Sequence, residues 1–100
     1  MTAPLHQTPP ERIAALIAIR DATPGASGPI QCQRMLIALQ TLGHLTTFEG
    51  SRFLDAYDVR ARKLALVKAG HQILTTWRTV QTESSERHRI GVYSLIRGKA

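Results

Sequence analysis

Residues 45–70, LTTFEGSRFLDAYDVRARKLALVKAG, constrain the fold of this chain more than any other part of it. Thr46-Thr47-Phe48-Glu49 is a capping box. In such a box the Thr46 hydroxyl accepts from the Glu49 backbone N–H while the Glu49 carboxylate reaches back to the cap. Phe48, Phe53 and Leu54 give the helix it opens a buried side, and Asp55-Ala56-Tyr57 forms a turn. Asp58 can then cap a second helix over residues 58–69. In that helix Val59, Leu66 and the aliphatic stem of Lys63 line one stripe, which Leu64 and Val67 widen. Arg60, Lys68 and part of Arg62–Lys63 are left toward solvent, and Gly70 ends the helix.

Upstream, residues 1–9 form a polar arm, and Pro10 suits the first turn of a short amphipathic helix over Pro10–Ala22. Residues 23–29 are a linker of breakers and small residues. From Ile30 the apolar positions Ile30, Met35, Leu36, Leu39 and Leu42 recur every three or four residues and predict a buried helix stopping at Gly43. Cys32 lies beside that stripe and reads as core filler. Downstream the period becomes alternating. Ile73, Thr75 and Trp77 share one face of His71–Val80, with Leu74, Thr76 and Arg78 on the other. In Arg87–Ile96, Tyr93 and Leu95 share a face opposite Ile90 and Val92. Joined by the polar residues 81–86, the two runs predict an antiparallel hairpin. Trp77 is expected in the hairpin's core.

One hundred residues, 43% of them hydrophobic, support one modest core. No apolar run approaches the roughly 20 residues that span a bilayer, so no membrane is expected. MTAPLHQTPPE lacks the basic and apolar regions of a signal peptide. A lone cysteine excludes an internal disulfide and fits a cytoplasmic location. The net charge is +6, with a sequence pI near 10.5. Residues 1–30 are neutral, whereas 31–70 and 71–100 each carry +3. Such a balance favours a polyanionic partner. His6, His44, His71 and His88 are scattered without metal-ligand spacing, and no phosphate loop, nucleophilic triad or carboxylate dyad appears. Neither catalysis, a cofactor, a metal nor a small-molecule substrate is expected.

Several stretches together resemble the small winged helix-turn-helix DNA-binding domains of bacterial phages, prophages and plasmids. They are Gly43, Leu45–Glu49, Leu54–Tyr57, Ala61-Arg62, Leu66, Gly70–Ile73, Thr76-Trp77 and Arg89–Leu95. The resemblance covers residues 30–97. It implies an α+β fold with a three-helix core and a C-terminal hairpin wing, to which this chain adds an N-terminal helix. The expected organisation is an arm, helix and linker over 1–29, the winged domain over 30–97, and a basic tail over 98–100. Lys63 stands where the family usually has an aliphatic residue, and Val92 where a basic one is common.

On this reading the helix over 58–69 enters the major groove of double-stranded DNA and the hairpin over 71–96 acts as a wing. Arg60 is the candidate base reader, because Arg pairs bidentately with guanine. Arg62 either joins it or pairs with Asp55 or Asp58. Lys63 and Lys68 suit phosphates, as do Arg78, Arg87 and Arg89 with His88 on the wing. Thr46 and Thr47, at a helix start, fit either phosphate binding or capping. Gln31, Gln33 and Arg34 are weaker phosphate candidates. The expected role is a small sequence-specific transcriptional or replication regulator, with residues 10–22 as a candidate homodimer contact. Two other classes stay open: a protein-interaction module on the same scaffold, and a non-specific architectural DNA binder.

Overall fold

Ser27, Thr46 and Asp58 each start a helix by the same device, a side-chain oxygen accepting a backbone N–H that has no partner inside the helix. In the computed structural model, which describes residues 8–81 and 86–96, these caps punctuate seven elements. They are α1 (Pro10–Ala22), α2 (Gly28–Leu42), β1 (His44–Thr46), α3 (Thr47–Arg52), α4 (Val59–Lys68), β2 (Ile73–Gln81) and β3 (Arg87–Leu95). Residues 1–7 of the expected arm, residues 82–85 of the polar turn, and residues 97–100, which include the expected tail, lie outside the described residues.

Helix α1 has the expected bounds. Helix α2 begins two residues earlier than expected, because Ser27 caps it by accepting from the Ile30 N–H (3.3 Å) and Pro29 sits where a missing N–H costs nothing. It ends as expected at Gly43, whose φ of 87° favours a residue without a Cβ. The buried stripe of α2 is rotated from the expected one. It comprises Gln31, Arg34, Met35, Ala38 and Leu39, leaving Ile30, Cys32, Leu36 and Leu42 only half-buried. The three residues after Gly43 form a strand that the alternating pattern did not announce. Three residues are too few for a period, and β1 exists because β3 pairs with it.

The sheet runs β1-β3-β2, all antiparallel, with β3 in the middle. His44 pairs with Ser94 and Thr46 with Val92 on one side, and Ile73 pairs with Leu95 and Gln81 with Arg87 on the other. Alternation then places Ile73, Thr75 and Trp77 on the same face as Leu95, Tyr93 and Gly91. Toward the β1 end this face closes the core of Leu16, Met35, Ala38, Leu39, Leu45, Leu54, Ala56, Val59, Leu66 and Tyr93, with Ile73 and Leu95 against it. Leu16, Met35, Leu39, Leu45 and Leu54 are wholly buried. Each such side chain contributes about 2 kcal/mol. Leu16 belongs to α1, so the N-terminal helix packs on the domain.

Two expectations about packing are corrected. Leu64 and Val67 do not widen the buried stripe of α4; they are 46% and 41% exposed, because only the Val59–Leu66 side of the helix meets α2 and the sheet. Trp77 is not hairpin core but 61% exposed, since it lies on the sheet face beyond the reach of the helices' apolar side chains. Lys63 is half-buried, its ammonium 5.8 Å from the centre of the Tyr93 ring, so its stem fills part of the space an aliphatic residue would take.

Candidate nucleic-acid interface

Helix α3, the connection over 53–58 and α4 form a helix-turn-helix unit whose angle is set by two aspartates. Asp55 and Asp58 hold φ values of 54° and 50°, a left-handed conformation that Asp tolerates better than most residues. Leu54 and Ala56 between them are buried, and the Ala56 N–H donates to Gly50 O (3.0 Å). The Asp58 carboxylate accepts from the Ala61 N–H (3.3 Å) and launches α4. At the start of α3 the capping box is complete. Thr46 Oγ1 accepts from the Glu49 N–H (3.0 Å), and Glu49 Oε1 accepts from the Thr46 N–H (3.0 Å).

Glu49 does more than cap. Its carboxylate is 5% exposed and also accepts from Arg12 of α1, Nε–Oε2 at 2.7 Å, while Arg12 Nη2 donates to His44 O (2.6 Å). Burial alone would raise the Glu49 carboxyl. Hydrogen bonds from Arg12 and Thr46, with the Arg12 charge, outweigh it and hold the group below the ordinary carboxylate value. His44 is lowered by burial first and then by the Arg12 charge, which Glu49 partly opposes.

The candidate site residues divide by where the fold puts them. Arg60 and Lys68 are exposed on α4, and Lys63 points along α4 toward the sheet. Arg87 and Arg89 lie on the sheet face that carries Trp77, and the Arg89 guanidinium stacks on the indole, 4.9 Å from the ring centre. Arg78 is on the reverse face, where its charge is felt at His44. Thr46 is 2% exposed and its hydroxyl is committed to Glu49, so it offers no side chain to a surface ligand. Thr47 is half-buried under the hairpin; a Cβ added at Gly91 would stand 3.1 Å from its methyl group, and the small residue there lets α3 approach the sheet. Arg62 turns away from α4's solvent face and lies against the first turn of α2. A Cβ on Gly28 would be 2.6 Å from its Nη1, its Nε is buried, and it makes no ion pair with Asp55 or Asp58.

Gln31 and Arg34 are also buried rather than available to phosphate. Gln31 Nε2 donates to Ala26 O (2.7 Å). Arg34, 2% exposed, donates to Thr23 Oγ1, Thr23 O, Gly25 O and Leu54 O. Sequence reasoning named Arg60 and Lys63 but missed the residues that the sheet sets opposite them. Arg60, Lys63, Thr75, Trp77 and Tyr93 line a cleft of about 360 Å³. The alternating pattern put Thr75 and Trp77 on one face, but nothing in it said that α4 would stand beside them. Arg52, at the end of α3, is a further exposed cation, lying 5.7 Å and 5.8 Å from the ring centres of Phe48 and Phe53. Among the described residues no three His, Cys, Asp or Glu side chains come together, and no helix is long and apolar enough to cross a membrane.

A three-helix unit closed by a three-stranded sheet, with cations on its last helix and on the adjoining hairpin, defines a winged helix-turn-helix domain. The family model of the winged helix-turn-helix domain matches residues 30–98, and the chain belongs to this family, a class of fold typical of DNA-binding proteins. No curated protein matches the chain. No solved structure does so either.

Proposed function

We propose that the protein is a sequence-specific binder of duplex DNA, acting as a small transcriptional or replication regulator of the phage or plasmid type. Helix α4 enters the major groove, and the β2–β3 hairpin flanks it as a wing. The observation that carries this reading is that Arg60 and Lys63 from α4 share one cleft with Trp77 of the hairpin, on whose ring the Arg89 guanidinium stacks. Arg60, Leu64 and Val67 follow one another along a single exposed stripe of α4, at spacings of four and three residues. Arg60 suits guanine, and the two apolar side chains suit thymine methyl groups. Action is steric: the bound domain blocks or recruits other proteins at the occupied site.

A homodimer through residues 10–22 belongs to the same proposal. Because Leu16 and Arg12 are used within the chain, such a contact rests on the outer residues Glu11, Ala14, Ala18 and Asp21. Sedimentation velocity with and without DNA decides it: a second copy only on DNA supports the contact, and a monomer in both removes it.

Fluorescence anisotropy across a salt series, with duplexes from the chain's own locus against random duplexes, tests the main reading. A preference for one duplex that is lost in Arg60→Ala supports it. For the preferred duplex, replacing thymine by uracil at one step weakens the wild type, and the same change no longer matters to Leu64→Ala. The exposed Leu64, Val67 and Tyr57, the last 74% exposed, favour a second reading in which α4 grips a protein. Weak, strongly salt-sensitive binding without preference supports that one.

A further inference from the structure

All five residues lining the cleft between α4 and the sheet carry a hydrogen-bond donor: a guanidinium at Arg60, an ammonium at Lys63, hydroxyls at Thr75 and Tyr93, and the indole N–H of Trp77. No carboxylate lines it. Asp58, whose charge reaches Tyr93, has its own carboxylate turned to the Ala61 N–H. Burial raises the Tyr93 phenol above its ordinary value, against the opposing charge of Arg60, so at neutral pH it keeps its proton and donates.

One of these donors is buried without a partner. Thr75 Oγ1 is buried and makes no hydrogen bond among the described residues, a condition that costs free energy in a folded chain and calls for a reason. Lys63 is held over the Tyr93 ring and Arg89 over the Trp77 ring, so two cations are oriented by aromatic faces instead of by acids. A space of about 360 Å³ is more than ten times the roughly 30 Å³ of one water molecule. A tetrahedral anion with flanking atoms fits it.

We propose that this cleft seats one phosphodiester of the duplex backbone, gripped by Lys63 from α4 and by Thr75, Trp77 and Tyr93 from the sheet, while Arg60, which shares the lining, is left to the neighbouring guanine. The assignment rests on the DNA-binding reading and deepens it: the strand leaving the groove occupied by α4 is clamped where α4 meets the wing. It also gives Thr75 its reason, since a rotation about χ1 turns a hydroxyl orphaned and closed to solvent in the free protein onto an acceptor in the complex.

The test uses the full chain, whose only tryptophan is Trp77, so that its emission reports the cleft directly. Duplexes carrying a neutral methylphosphonate at one phosphate at a time are titrated against wild type, Lys63→Met and Thr75→Val. One position is expected to weaken wild-type binding roughly tenfold, the size of a hydrogen bond to a charged group. At that position Lys63→Met, already weaker and with a salt slope lower by about one, loses nothing further. Thr75→Val binds the duplex more weakly yet withstands urea at least as well as wild type, because it removes an unsatisfied buried hydroxyl. Duplex binding with no position coupled to Lys63→Met, or with Thr75→Val at wild-type affinity, overturns the seat while leaving DNA binding intact. A wild type that binds no duplex overturns the function itself. In a parallel arm, a Lys63-dependent response of Trp77 to inorganic phosphate, with none to duplex, marks a free-anion site and also overturns the proposal.

Discussion

Arg34 donates four hydrogen bonds from inside the protein, three of them to the carbonyl oxygens of Thr23, Gly25 and Leu54. Those carbonyls terminate α1, the loop after it and the turn before α4, so a single guanidinium fastens three irregular segments. Arg34→Met preserves most of the volume and orphans the carbonyls; urea unfolding should show a loss of about 3 kcal/mol. Arg34→Lys should recover only part of it, for an ammonium cannot reproduce the fork. The sequence announced Arg34 as a cation near a helix start, beside Gln31 and Gln33, and so as a surface residue. Its partners come from three distant places, and no local pattern records them. Asp58 shows the opposite case. The cap was legible, but its left-handed φ of 50° was not. Asp58→Ala should therefore lose both cap and conformational tolerance, about 2 kcal/mol by urea unfolding, whereas Asp58→Gly loses a few tenths.

Helix α1 shows how an element can be placed in the chain yet not in space. Proline and the spacing of Ile13, Leu16 and Ile17 mark its limits, but its docking depends on Arg12 meeting a glutamate already engaged in a capping box. Breaking a pair buried to this degree costs about 3 kcal/mol, and Arg12→Ala should lower the urea midpoint accordingly. The same cluster gives the fold an acid response. Glu49 and His44 both titrate below their ordinary values in the folded chain, so each adds stability above its unfolded value and loses it as pH falls through the folded one. The urea midpoint should drop first below about pH 6.5 and again below about pH 4.3. His44→Gln should abolish the first step, and Arg12→Met should weaken both, because the Arg12 charge lowers His44 as well as Glu49. Strand β1 was illegible for a different reason: its partner is supplied by β3, near the other end of the domain.

Across the whole molecule, the fold sorts the cations that composition can only count. Arg12, Arg34 and Arg62 face inward, and Arg78 lies on the reverse of the sheet. Arg60, Lys63, Lys68, Arg87 and Arg89 are left on α4 and on the hairpin face beside it. If Lys63, Lys68, Arg87 and Arg89 neutralise phosphates while Arg60 reads a base, the logarithm of the binding constant should fall against the logarithm of salt with a slope of about −3.6. A slope steeper than about −7 would mean that cations outside this surface bind as well. Sheet order has a consequence of another kind. Both β1 and β2 hydrogen-bond to β3 and not to one another, and His44 must find Ser94 across half the chain. The nearer partners of the hairpin can zip in microseconds, while the closure of β1 waits on a search that grows costlier with the length of chain enclosed. Folding should therefore have an order in time, in which the hairpin face that carries Trp77 and Arg89 is shaped before the scaffold behind it has closed.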